Sequence, residues 1–182
     1  VSHTLYAKWT INADTNPVVV KDNASYNPNQ AKLTRSVVGG KNVYTYTTRD
    51  VAVPVADPWA RRLSISIPAG QQTHVAVEFR YTEAFKADGV TAINPSLAVY
   101  SHNEGNGGSW ISTIDIYDSK GVRVTGSNNK DGLTVGEWYT LIVGVKSNTD
   151  SFELRTAHNY TDDAAILTME IRDRSTYTSN GI

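Results

Sequence analysis

The sequence predicts an all-β protein, an antiparallel β-sandwich or barrel, and three observations carry that expectation. From Ala31 to Arg174 the chain is a succession of short runs alternating apolar and polar residues, the period of a strand with one buried face. Gly, Pro, Asn and Asp separate these runs at short intervals, as turns do. Helical spacing is almost absent, and no strand–helix alternation occurs. That removes the parallel α/β folds, and with them most nucleotide-binding and hydrolase scaffolds.

Taken in order, the chain opens on "LYAKWT" (5–10), where Leu5, Ala7, Trp9 and Ile11 fall on one side of an extended chain and Tyr6, Lys8 and Thr10 on the other. This stretch resembles the closing strand of the B repeat of internalin-type surface proteins, which commonly ends in Tyr-Ala-Lys/Gln-Trp. Residues 1–11 are therefore expected to be the last strand of a repeat module, carried with the domain that follows. Residues 12–30 are rich in Asn and Asp and hold Pro17, Pro28 and the short run Val18-Val19-Val20, which together read as a linker and a first strand.

Residues 31–182 form the predicted sandwich. Its strand candidates are "KLTRSVV" (32–38), "VYTYTTR" (43–49), "RLSISI" (62–67), "HVAVEFRY" (74–81), "SLAVYSH" (96–102), "WISTIDIY" (110–117), "VRVT" (122–125), "WYTLIVGVKS" (138–147), "FELRTAH" (152–158) and "AILTMEIRD" (165–173). Gly39-Gly40-Lys41-Asn42, Pro68-Ala69-Gly70, Asp118-Ser119-Lys120-Gly121 and Ser147-Asn148-Thr149-Asp150 supply turn chemistry between them. Only "EAFKAD" (83–88) has helical character, enough for one turn in a loop. The Gly-rich loop Asn103–Ser109 predicts an antiparallel hairpin of its two flanking runs.

"GEWYTLIVGVK" (136–146), followed by a turn and two strands, resembles the closing half of jelly-roll carbohydrate-binding modules, which often begin a long strand with Gly-x-Trp-Tyr-Thr. Gly136, Trp138, Tyr139 and Thr140 match that motif. The resemblance implies a jelly roll and a role in polysaccharide binding.

Composition narrows the function classes. The 182 residues suffice for one well-buried core, and 40% hydrophobic residues with a net charge of −1 describe a globular domain. The 17 basic and 18 acidic residues are interspersed without a basic stripe, so no nucleic-acid partner is expected. No apolar run approaches the roughly 18 residues of a membrane span, so no membrane insertion is expected either. Cysteine is absent, which excludes disulfides and thiolate metal sites. The repeat-like segment points to an extracellular or cell-wall-attached bacterial protein.

Enzymatic readings find little footing. No Gly-x-Ser-x-Gly elbow is present, and His3, His74, His102 and His158 lack metal-ligand spacing. A glycosidase pair can be nominated from Asp115 with Glu78 or Glu104, but almost any β-sheet surface offers such carboxylates. "SNNKDG" (127–132) shares offsets with a calcium loop, yet Trp138 stands where the distal carboxylate belongs, and a hairpin turn explains the stretch equally. No cofactor is required. A structural calcium near the terminal strands, with Asp22 or Asp173 as ligand, is implied only by the jelly-roll resemblance.

A surface gives the stronger signal. With Leu97 and Val99 inward, Tyr100 and His102 point outward; with Ile114 and Ile116 inward, so do Thr113, Asp115 and Tyr117. The predicted hairpin would put Tyr100, His102, Asp115 and Tyr117 on one face, joined by Glu78 and Arg80 if the run beginning at His74 lies nearby. Flat rings against sugar C–H faces, with charged and amide groups on the hydroxyls, are what glycan recognition needs. Tyr is also common on sheets for its β-propensity alone. Trp59 and Trp110 sit beside turns where a ring can reach a ligand or cap the core, whereas Trp138 and Trp9 read as packing residues. The expectation is a non-catalytic polysaccharide-binding module beside neighbouring modules of one polypeptide. The alternatives are an adhesin or spacer domain and, further off, a glycoside-active enzyme.

Overall fold

The computed structural model describes residues 10–12, 19–22, 32–47, 62–66, 74–86, 88–101, 111–126, 129–145, 151–155, 166–173 and 176–178. Among them are fourteen strands and no helix. In chain order these are β1 (Thr10–Asn12), β2 (Val19–Asp22), β3 (Lys32–Val38), β4 (Lys41–Thr47), β5 (Arg62–Ser66), β6 (His74–Phe85) and β7 (Leu97–Ser101). The second half holds β8 (Ile111–Tyr117), β9 (Arg123–Thr125), β10 (Asn129–Lys130), β11 (Tyr139–Val145), β12 (Ser151–Arg155), β13 (Ile166–Asp173) and β14 (Thr176–Thr178). Each run expected from alternation between Ala31 and Arg174 contains a strand. Among the described residues no helix is long and apolar enough to cross a membrane.

One sheet has seven strands in the order β3-β4-β13-β6-β11-β8-β9, and a second has five in the order β10-β7-β12-β5-β2. A two-stranded ribbon pairs β1 with β14, setting Thr10 opposite Thr178 and Asn12 opposite Thr176. Residues 1–9, with most of "LYAKWT", lie outside the described residues. All ladders are antiparallel, so each strand shows one side chain in two to each face.

The inward residues make one hydrophobic cluster drawn from both large sheets. The seven-stranded sheet gives Tyr44 and Tyr46, Val75, Val77, Phe79 and Tyr81, Ile114 and Ile116, Leu141 and Val143, and Met169 and Ile171; the five-stranded sheet gives Leu63, Ile65, Leu97, Val99, Phe152 and Leu154. Phe79 organises the aromatic part, stacking on Tyr139 at 5.5 Å and meeting Tyr81 edge-on at 6.3 Å. The buried Tyr81 hydroxyl donates to the Ser96 carbonyl at 2.8 Å, so its polar end has an acceptor.

Two expectations are corrected. "EAFKAD" is not a helical turn: β6 runs on to Phe85 and ends in a turn where the Lys86 amide donates to the Thr91 carbonyl. Glu83 faces Thr168 and Tyr81 faces Met169, so Thr82 is an extra residue, a β-bulge. The bulge shifts the phase and leaves Tyr81 and Ala84 both buried, three positions apart, which imitates helical spacing. Nor do the runs on either side of the Gly-rich loop form a hairpin. β7 lies between β10 and β12 in the five-stranded sheet, and β8 between β11 and β9 in the other. Leu97, Ala98 and Val99 are all buried, as in a central strand, and the nine residues between Ser101 and Ile111 are too many to dictate pairing as a two-residue turn does.

Loops at one end of the seven-stranded sheet are bound to one another. The Leu133 amide donates to the Pro95 carbonyl at 2.9 Å, the Gly136 amide to the Tyr81 carbonyl at 2.7 Å, and Ser119 Oγ to Glu137 Oε1 at 3.1 Å. Leu133 is buried in the core beneath them. This network holds the start of β11, and with it Trp138, in place.

Candidate functional site

The outward face of the seven-stranded sheet carries polar side chains beside a buried patch, where Ala76, Ile142 and Thr140 share the outward parity and are covered. Because Val77, Phe79 and Tyr81 are inward, Glu78 and Arg80 of β6 are outward; by the same parity Glu170 and Arg172 of β13, Thr140 of β11, and Asp115 and Tyr117 of β8 share their face. Register aligns them in rows. Tyr117 faces Thr140, Thr140 faces Glu78 and Glu78 faces Arg172, a line across four strands that spans about 14 Å at the usual strand spacing. In the next row Arg80 faces Glu170.

These facing residues pair electrostatically. Arg80 Nε donates to Glu170 Oε2 and Arg172 Nε to Glu78 Oε2, both at 2.6 Å. The Glu170 and Glu78 side chains are 22% and 21% exposed and those of Arg80 and Arg172 are 35% and 33% exposed, so the pairs are shielded from below and open above. Asp115 accepts from Arg123 of β9 at 2.6 Å at the far side of the face. Both carboxylates nominated as a glycosidase pair therefore hold a guanidinium when Asp115 is matched with Glu78; Glu104 lies outside the described residues.

Trp138 completes the arrangement. It precedes Tyr139, which is inward, so its partly buried indole falls on the outward face. The Arg172 guanidinium lies 3.9 Å and that of Arg80 4.7 Å from the indole ring, inside the range of cation–π attraction. Each arginine is thus held by a carboxylate on the neighbouring strand and by the ring, and the ring is held by both arginines. The packing role expected for Trp138 in the core is corrected by this placement. Its parity was the available signal: Trp138 and Thr140 alternate with Tyr139, Leu141 and Val143.

Of the residues nominated from sequence, the structure brings Glu78, Arg80, Asp115 and Tyr117 to one face. Tyr100 is not with them. Its strand, β7, belongs to the five-stranded sheet, where its backbone pairs with Glu153, so the expected grouping with Asp115 and Tyr117 is overturned. His102, Trp59 and Trp110 lie outside the described residues. Besides Trp138, residue-by-residue reading missed Glu170, Arg172 and Arg123, whose roles exist only through cross-strand register.

In the "SNNKDG" stretch, Asn129 and Lys130 form β10, and Asp131 Oδ1 accepts from Ser96 Oγ at 2.8 Å. Among the described residues no three His, Cys, Asp or Glu side chains gather as a metal site would require.

No protein-family model matches the chain, and no curated protein matches it in sequence.

Proposed function

We propose that this chain is a non-catalytic polysaccharide-binding module of jelly-roll build, acting within a larger extracellular bacterial protein, and that it meets its ligand on the outward face of the seven-stranded sheet. Strand order supports the jelly-roll reading. The orders β4-β13-β6-β11 and β5-β12-β7-β10 are those of two interlocked Greek keys, and both sheets feed one core.

The binding role is carried by one observation, the partly exposed indole of Trp138 braced by Arg80 and Arg172, two residues before Thr140, the residue that faces Tyr117. A ring fixed in advance loses little conformational freedom when a sugar stacks on it, and hydroxyls find donors and acceptors on either side. Such a module would anchor a neighbouring enzyme to polysaccharide or hold a cell to it.

The test is native affinity electrophoresis against soluble starch, xylan, mannan, β-glucans and xyloglucan, comparing the wild type with Trp138→Ala and Tyr117→Ala. Each substitution is expected to weaken retention by about 1–3 kcal/mol, the scale of a well-used aromatic contact. Stability should change by about 1–2 kcal/mol for Trp138→Ala, which loses two cation–π contacts, and by about 0.5 kcal/mol for Tyr117→Ala. Retention of both variants at wild-type strength would sink the reading. A protein-binding or spacer domain is the second reading, favoured by the mutual satisfaction of the charges, and it requires that neither substitution change retention.

A further inference from the structure

We infer that the ligand of this face is a neutral polysaccharide, one without uronate, sulfate or phosphate groups; this rests on the polysaccharide-binding reading above. Around Trp138 and Tyr117 the ionic side chains cancel. Arg80, Arg172 and Arg123 are matched by Glu170, Glu78 and Asp115, each pair in contact at 2.6 Å. Further out, among the described side chains, the face adds one group of each sign, Lys41 by parity with Val43 and Glu83 as the acceptor of the Thr168 hydroxyl. An anionic glycan that accepts from the guanidinium N–H groups would bring its charge beside the carboxylate that already holds each arginine in register on the adjacent strand. Like charges so placed repel.

A neutral glycan faces no such repulsion. Hydroxyls can accept from guanidinium and donate to carboxylate while the ion pairs stay closed, because each arginine has five N–H donors and each carboxylate two oxygens. The two guanidiniums also lie against the Trp138 ring, so releasing either one would loosen the stacking platform. The ion pairs therefore exclude acidic ligands and hold the ring that neutral ones use.

The experiment extends the electrophoresis panel to polygalacturonate, alginate, hyaluronan and chondroitin sulfate, each run at low salt and at about 1 M NaCl, where the screening length falls to about 3 Å. Retention on at least one neutral polymer, changed less than about twofold by salt, with none on the acidic polymers, is the expected result. Salt-sensitive retention on an acidic polymer would overturn this inference and leave polysaccharide binding standing. Absence of retention on every polymer would overturn both. The double variant Glu78→Gln/Glu170→Gln frees two guanidiniums and is expected to acquire retention on polygalacturonate that high salt abolishes. If it melts as the wild type does and acquires none, pairing is not what excludes acids.

Discussion

Asp88 is exposed, yet its carboxyl is lowered from the ordinary 3.8 to about 2, first by the Thr91 hydroxyl that donates to it and then by the Thr91 and Val90 amides. The folded turn holds the anion more strongly than the unfolded chain does. Its contribution is therefore complete above about pH 4 and disappears as pH falls towards 2. The amide resonances of Val90 and Thr91 should titrate together with a midpoint of about pH 2 while those of the core strands stay fixed; a midpoint near pH 4 would show that the turn exerts no hold. Tyr81 shows the opposite effect. Burial, with a smaller contribution from Tyr46, pushes its phenol far up, so it remains a neutral donor to Ser96 at any pH the fold survives.

Elements differ in how fully the local sequence specifies them. The hairpin of β3 and β4 is legible because Gly39 and Gly40 take φ of +58° and +79°, the left-handed pair of a two-residue turn, and Val38 then faces Lys41. A Cβ added at Gly40 would meet nothing within 4 Å, so Gly40→Ala should cost only the left-handed strain, about 1–2 kcal/mol, read as a shift in denaturant midpoint. A loss as large as that of a core truncation would mean that the turn bears on packing. The end of β6 was illegible, because the Thr82 bulge sets Tyr81 and Ala84 at a helix-like interval. The separation of β7 from β8 was illegible for another reason: alternation tells which side chains face inward but not which strand lies alongside. Hence parity alone identifies Glu78, Arg80, Asp115 and Tyr117, whereas the apolar neighbours of Trp138 argue for the core and the roles of Glu170 and Arg172 exist only through register. β10 and β14, of two and three residues, are too short for any period to show.

At the scale of the molecule, two sheets share one core, and among the described residues β1 and β14 pair with each other and with no other strand. Deleting residues 1–12 should therefore leave a single cooperative melting transition, lowered by only a few degrees if the three-residue ladder contributes about 1 kcal/mol. Loss of cooperativity would show that the ribbon belongs to the core. The register of that ribbon also sets how the protein bears load. Thr10 and Thr178 face each other, so tension applied between these two residues acts across the hydrogen bonds rather than along the strands. Bonds loaded in that direction break in succession, as a zipper opens, instead of resisting together. Under a steady pull the ribbon should yield first, as a short low-force extension step ahead of the main rupture in single-molecule stretching. It would then act as a mechanical fuse, lengthening the tether while the seven-stranded sheet and its outward face stay folded.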